Sequence, residues 1–216
     1  MQDLDWQIDY WNRVGPAKAF GHPVNFERLG QWLAPDSRIL DFGCGYGRVL
    51  GLLHSRGYHN LIGVDQAPAM VAAAHQRFPT IAVEPLMSPP HLALPAASVD
   101  AVLLFTVLTC VPSDEGQHAI VREVRRVLRP GGLLYISDLW LQPDARNIQR
   151  YVRDESKHGL YGVFDLPEGV TVRHHDRRWI EVLTQGYELA ALDDVQVQTM
   201  NGNPANGFQW FGLKPS

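Results

Sequence analysis

Short apolar runs and helix-spaced runs alternate along the first two thirds of the chain. Arg38–Phe42, Leu61–Val64, Ala101–Thr106 and Leu133–Ser137 are close to continuously apolar, whereas Val49–Ser55, Pro68–Arg77 and Gly116–Leu128 carry a helical pattern. That rhythm predicts βαβ units. A short strand without polar alternation is buried on both faces, which a parallel sheet flanked by helices requires, and right-handed crossovers follow. From Leu139 to about Arg178 the periodicity weakens, aromatic and charged residues multiply, and no strand is predicted. Trp179–Leu183 then reads as a helix, and Asp194–Met200 and Phe208–Leu213 read as alternating strands separated by a turn cluster at Asn201–Gly207.

The most informative junction is where Ile39-Leu40-Asp41-Phe42 runs into Gly43-Cys44-Gly45-Tyr46-Gly47-Arg48. Three glycines at alternate positions let the backbone take left-handed angles and let a ligand come close to the main chain. The helix that follows offers unpaired N–H groups to an anionic group. A dinucleotide fingerprint needs a third glycine at position 48, which Arg48 occupies. Downstream, Asn60-Leu61-Ile62-Gly63-Val64-Asp65 is a second apolar run ending in a carboxylate. At the end of a second strand, Asp65 is placed to accept from both hydroxyls of a ribose.

Asp41-Phe42-Gly43-Cys44-Gly45-Tyr46-Gly47 resembles motif I of the class I S-adenosylmethionine (AdoMet)-dependent methyltransferases. Two further landmarks fall in the family's order. Leu94-Pro95-Ala96-Ala97-Ser98-Val99-Asp100-Ala101-Val102 resembles the entry into its fourth strand, and Leu128-Arg129-Pro130-Gly131-Gly132 resembles the turn before its fifth. The resemblance covers Arg38 to Asp138. It implies an α/β, Rossmann-like doubly wound fold, with a mostly parallel seven-stranded sheet and an antiparallel terminal strand. It also implies AdoMet as cofactor and S-adenosylhomocysteine as product. Within one domain, residues 1–30 are expected as an N-terminal helical lid and 31–138 as the cofactor-binding core. Residues 139–185 are expected as an insertion capping the substrate, and 186–216 as the terminal antiparallel strands.

On that resemblance, Asp41, Gly43, Cys44, Gly45 and Gly47 meet the methionine end of the cofactor and Asp65 the ribose. Gln66 follows the ribose carboxylate, and Met70 packs on the adenine. The acidic residue that the family often places after its third strand is missing; the register puts Met87 and Ser88 there, so a hydroxyl or backbone group must read the adenine edge. Phe105 and Thr106, at the end of the fourth strand, should face the sulfur, because ligands bind beyond the carboxyl ends of parallel strands.

Methyl transfer from a sulfonium asks chiefly for placement of the acceptor and exclusion of water. Tyr10, Trp11 and Phe20 before the first strand, and Trp140, Tyr151 and Tyr161 after the fifth, are the candidates for an acceptor pocket. His174, His175 and His22 are the candidates for a general base, since imidazole titrates near neutrality. The Asn/Asp-Pro-Pro-Tyr/Phe motif of amino methyltransferases and the paired glutamates of arginine methyltransferases are absent. Asp138 is the one convincing carboxylate at a late strand end, so no metal is predicted.

Composition narrows the classes. The chain has 216 residues, 45% apolar content, a net charge of −4 and nine histidines, which suits one substantial core and gives no footprint for nucleic acid. Arg122, Arg125, Arg126 and Arg129 recur on one predicted helix, but apolar residues fill its other side, so they read as a solvated face. No window of eighteen apolar residues and no leader-like N-terminus occur, and Cys44 and Cys110 read as reduced thiols. A cytoplasmic protein without membrane partners is expected. The sequence therefore predicts an AdoMet-dependent methyltransferase acting at O or N of a small molecule. The alternatives are a nucleotide-dependent oxidoreductase and a noncatalytic AdoMet-binding protein of the same fold.

Overall fold

The computed structural model describes residues 5–216. Residues 1–4 of the expected lid lie outside them. Seven strands form one sheet in the order β3-β2-β1-β4-β5-β9-β8. Here β1 is Ile39–Phe42, β2 Leu61–Asp65, β3 Ala82–Pro85, β4 Val99–Phe105, β5 Leu128–Leu139, β8 Glu188–Gln198 and β9 Pro204–Leu213. The first five are mutually parallel, and β9 runs antiparallel between β5 and the edge strand β8.

Alternate residues of the central strands enter opposite cores, which is why they read as continuously apolar. Leu40, Phe42, Val102, Leu104, Leu134 and Ile136 pack toward α5 (Asp114–Val127) and α7 (Arg177–Leu183). Ile39, Ala101, Leu103, Phe105, Leu133 and Tyr135 pack toward α2 (Phe26–Leu29), α3 (Arg48–Ser55) and α4 (Pro68–Arg77). The expected doubly wound sheet with its antiparallel last strand is thus present.

Three differences from the sequence reading matter. First, Arg129–Gly132 is an excursion within β5 rather than a turn ahead of it. Leu128 pairs with Val99 and Leu133 with Ala101, and the excess residues bulge outward with Gly131 at φ +70°. Second, the stretch expected to lack strands holds α6 (Ala145–His158) and a separate hairpin of β6 (Val163–Leu166) and β7 (Val170–Arg173). Third, β8 and β9 are longer than expected, because β9 pairs out to Pro204 at the turn and β8 begins as early as Glu188, opposite Leu213. The arginine stripe on α5 is tied down at its end: Arg126 bonds Glu123 and the carbonyls of Leu92 and Leu94, and Arg125 donates to Gly186.

The N-terminal segment folds over the carboxyl end of the sheet. Its helix α1 (Ile8–Val14) is pinned to α4, where Asn12 Oδ1 accepts from Ala69 N and caps a helix whose own N-cap, Ala67, has no side-chain acceptor. Gln7 pairs with Thr171 of β7 through both amide atoms, at 2.8 and 2.7 Å. Tyr10 and Trp11 then share one apolar cluster with Met70, Tyr151, Phe164 and Val172. The N-terminal segment and the β6–β7 hairpin region therefore meet above the sheet.

Candidate functional site

A cavity is built at the first strand-to-helix corner. Gly43, Gly45 and Gly47 have φ of +70°, +55° and +81°. A Cβ on Gly43 would come within 2.8 Å of Val107 Cγ2, so both angle and space demand glycine there. Ser113, Asp144 and Asp176 cap α5, α6 and α7 with their side chains, whereas α3 starts at Gly47 with no side-chain cap. Its first N–H groups are left for a ligand or water.

Asp65 closes this corner. It is only 8% exposed, and its carboxylate accepts from Gly45 N at 2.8 Å and from Ala67 N at 2.9 Å. Each oxygen takes one N–H and keeps a lone pair, so the group is oriented yet still able to accept. Burial pushes its carboxyl upward, and the two N–H bonds pull it back. Beside it, Asp41 is buried with Oδ2 lacking any hydrogen-bond partner, and the Arg48 guanidinium lines the same cavity. An unpartnered buried oxygen and a guanidinium match the ammonium and carboxylate at the methionyl end of AdoMet, so the residues present fit the group.

Most of the expected cofactor residues converge here. Asp41, Gly43, Cys44, Gly45, Asp65 and Gln66 line the cavity, as do Met70, Phe105 and Thr106. Gly47 supports the turn from behind, against Phe78. Met87 and Ser88 are displaced from the expected position. Pro85 is the last paired residue of β3, Leu86 turns inward to line the cavity, and Met87 points out at 82% exposure; Ser88 is exposed as well. Trp6, Tyr46, Arg48 and Cys110 also line the cavity, and the sequence reading passed over them in this role. Thr106 is a β-branched residue at φ +56°, a strained conformation held at the strand end facing the cavity.

A second cavity adjoins the first, and Trp11, Phe20, Thr106 and Cys110 line both. Its remaining walls come largely from three segments remote in sequence, the β6–β7 hairpin, α6 and the β8–β9 turn, with Gly21, His22, Thr109, Leu139 and Gln142 between them. Lys18 fastens the hairpin to the β8–β9 turn. Its Nζ bonds Glu168 Oε1 at 3.1 Å and the Asn201 side chain, and Asn201 Nδ2 donates to the same Glu168 oxygen at 2.7 Å.

Of the six aromatic residues expected in an acceptor pocket, Trp11 and Phe20 line this cavity. Tyr10 packs edge-on against Trp11 within the apolar cluster. Tyr151 is fully buried behind His174, and Tyr161 lies at the surface against Tyr151. Trp140 stacks on Phe208 at 4.0 Å and donates to Asp194, on a different face.

The histidines divide in the same way. His22 and His174 line the second cavity. His175, next in an extended chain, points the other way, with Nδ1 against Leu139 O and Nε2 against Gln117 Nε2. His22 Nδ1 sits 3.0 Å from Ser137 Oγ and its Nε2 is unpartnered. Tyr151 Oη accepts from Gln142 N and lies against His174 Nδ1, so its hydrogen goes to that nitrogen and places His174's own proton on Nε2. Burial lowers His22 to about 4 and His174 to about 3, assisted by Arg48 and Arg150 respectively, so both are neutral imidazoles at pH 7. Asp138 accepts from Thr109 N and Leu139 N and lines neither cavity. Among the described residues, no three metal-binding side chains come together.

Burial, opposed by Arg48 and assisted by Asp65, pushes the Asp41 carboxyl up to about 8. A carboxyl raised from its ordinary 3.8 holds a proton that the unfolded chain has released, so its contribution to stability is complete below 3.8 and is lost as pH rises to about 8. The lowered histidines act in the opposite sense, but their contribution is already complete above 6.5. Asp138, raised to about 7 by burial, finishes sooner than Asp41. Between pH 7 and 8 the unliganded protein is therefore expected to lose stability, and Asp41→Asn to lose distinctly less. Urea midpoints at the two pH values check this, and an equal drop in both proteins would contradict it.

Comparison with known proteins follows the same lines. A family model described as a methyltransferase domain matches residues 40–136. An uncharacterized methyltransferase of Mycobacterium bovis is 30% identical over 190 residues, covering 83% of this chain and 73% of that protein. EEF1A lysine methyltransferase 4 of Mus musculus is 34% identical over 149 residues, covering 58% of this chain and 58% of the mouse protein. The match thus spans less than two thirds of the mouse relative's length. Among solved structures, a SAM-dependent methyltransferase from Methanosarcina mazei superposes with a TM-score of 0.79 at 25% identity, covering 90% of this chain and 99% of that one.

Proposed function

This chain belongs to the class I S-adenosylmethionine-dependent methyltransferases, and we propose that it transfers the cofactor's methyl group to an oxygen or nitrogen of a small molecule seated in the second cavity. Membership in this family removes the oxidoreductase alternative. The observation that carries the reading is the adjacency of the two cavities, which share Trp11, Phe20, Thr106 and Cys110 as walls beside a clasp of Lys18, Glu168 and Asn201. A clasp tied across three segments suits an enclosed small molecule better than a chain of protein.

Bound AdoMet supplies an electrophilic methyl group on a positively charged sulfur, so the protein's task is placement and dryness. Asp65 accepts from the ribose through lone pairs already oriented by Gly45 and Ala67. Asp41 and Arg48 hold the methionyl end. Trp11 and Phe20 exclude water at the junction, and His174 presents an Nε2–H donor to the acceptor. His22, with an unpartnered Nε2, is the remaining proton acceptor; an imidazole at about 4 is a weak base, so positioning carries most of the rate. Two unpaired thiols, Cys44 and Cys110, suit a cytoplasmic setting.

The test is to incubate the purified chain with methyl-labelled AdoMet and cell extract divided by ultrafiltration into small molecules and proteins. Label is expected in the small-molecule fraction. Label confined to protein would overturn the small-molecule acceptor, and S-adenosylhomocysteine binding without any label transfer would favour the noncatalytic alternative.

A further inference from the structure

The second cavity carries more positive charge than its own walls neutralise. Arg146 and Arg150 stand one turn apart on α6 and both line it. Neither belongs to an ion pair among the described residues. Arg146 donates to Asn203 Oδ1 at 2.9 Å. Arg150 reaches the Asn147 amide oxygen at 3.4 Å and lies over the Phe164 ring, 5.5 Å from its centroid.

The acids around them make their hydrogen bonds elsewhere. Asp144 caps α6 and accepts from Asn147 N and Nδ2 at 3.1 and 2.6 Å. Asp154 holds Arg153 at 2.6 Å and accepts from Asp165 N. Glu168 lines the cavity but is bound to Lys18 and Asn201. Because burial holds His22 and His174 neutral, the cavity wall carries two guanidinium charges that face the single carboxylate of Asp144 through space without an ion pair, which leaves one positive charge in excess. The half-buried Arg150 guanidinium, with no ion-pair partner, forfeits hydration without a partner's return, while Arg146 beside it stays exposed to solvent. A ligand that brings an anion restores the balance, and the planar fork of arginine matches a carboxylate in two parallel hydrogen bonds. Trp11, Phe20, Phe164 and Leu166 give the same cavity apolar surface.

We propose that the methyl acceptor is an organic carboxylate with an apolar body, its anionic group held by Arg150 and Arg146 and its accepting atom directed toward the junction at Thr106 and Cys110. This rests on the methyltransferase reading above, and it assigns Arg146 and Arg150 as the residues that select for charge. The aromatic walls favour a carboxylate over a compact inorganic anion, since most of the lining would otherwise contact nothing.

The test uses the full chain saturated with S-adenosylhomocysteine. Calorimetry then compares indole-3-acetate and benzoate with indole-3-acetamide and benzamide, which keep the skeleton and lose the charge, and with phenyl phosphate. The acids are expected to bind about tenfold or more tightly than the amides. Arg150→Gln is expected to erase that preference while leaving S-adenosylhomocysteine affinity unchanged, because Arg150 does not line the cofactor cavity. Arg150→Lys should keep part of it. Equal binding of acids and amides, no binding of either, tighter binding of phenyl phosphate, or a preference that survives both Arg150→Gln and Arg146→Gln would overturn the inference. Failure of the wild-type chain to bind S-adenosylhomocysteine would instead sink the methyltransferase reading, and this inference with it.

Discussion

Replacing Asp65 with alanine is expected to weaken S-adenosylhomocysteine binding by about 1.5–3 kcal/mol, roughly 10- to 150-fold. The carboxylate is nearly buried and already fixed by Gly45 N and Ala67 N, so little ordering is left to be done when a ribose arrives. Hydrogen bonds to a charged acceptor in such a setting exceed those between neutral groups. Alanine also strips Gly45 N and Ala67 N of their acceptor, so the glycine turn itself loosens. Asp65→Asn keeps the shape but turns one oxygen into a donor facing an N–H, and it should fall between alanine and wild type. Isothermal titration checks the order, with a thermal melt of each variant to confirm the fold. Undiminished affinity in Asp65→Ala would remove Asp65 from the cofactor site.

The second large effect is on stability. Tyr135 is fully buried on β5, stacked on Phe211 with centroids 4.2 Å apart and edge-on to Phe105 at 4.9 Å. Its hydroxyl accepts from Asn25 N at 3.1 Å, at the cap of α2. Tyr135→Ala leaves a void in a close-packed core and is expected to cost about 3–5 kcal/mol. That is a large share of the roughly 5–15 kcal/mol that holds a domain of this kind together. Tyr135→Phe keeps the ring and abandons one N–H, for about 1–3 kcal/mol. Because Phe105 lines the cofactor cavity, the alanine variant should also bind S-adenosylhomocysteine less well at temperatures where it remains folded. Chemical denaturation of the three proteins measures the difference, and a Tyr135→Ala cost no larger than that of Tyr135→Phe would contradict the packing account.

The corner of the glycine turn and Asp65 was legible in the sequence because that cavity wall is built from main chain and one strand end, so neighbouring residues share the work. Apolar continuity revealed the sheet because its strands face two cores. The second cavity left no such trace. Its walls join α6, the β6–β7 hairpin and the β8–β9 turn with Phe20 and His22. Helix α6 escaped notice because its inward positions include Asn147, Arg150 and Asp154, which blur apolar periodicity. Asp144 at its start and Gly159 at φ +70° past its end were the available signals. The hairpin was signalled too, by Val163-Phe164-Asp165-Leu166 and Val170-Thr171-Val172-Arg173 flanking Pro167-Glu168-Gly169. Strand alternation at His174 and His175 already forbids both rings from facing one cavity. Met87 and Ser88 were misplaced by one or two residues, since the inward position beyond β3 belongs to Leu86.

A crystal structure of the chain with S-adenosylhomocysteine tests the central claim most directly. The account predicts the ribose on Asp65, the amino acid end between Asp41 and Arg48, and the sulfur facing Thr106 and Cys110 beside the second cavity. A nucleoside bound elsewhere, or a sulfur turned away from that cavity, would contradict it.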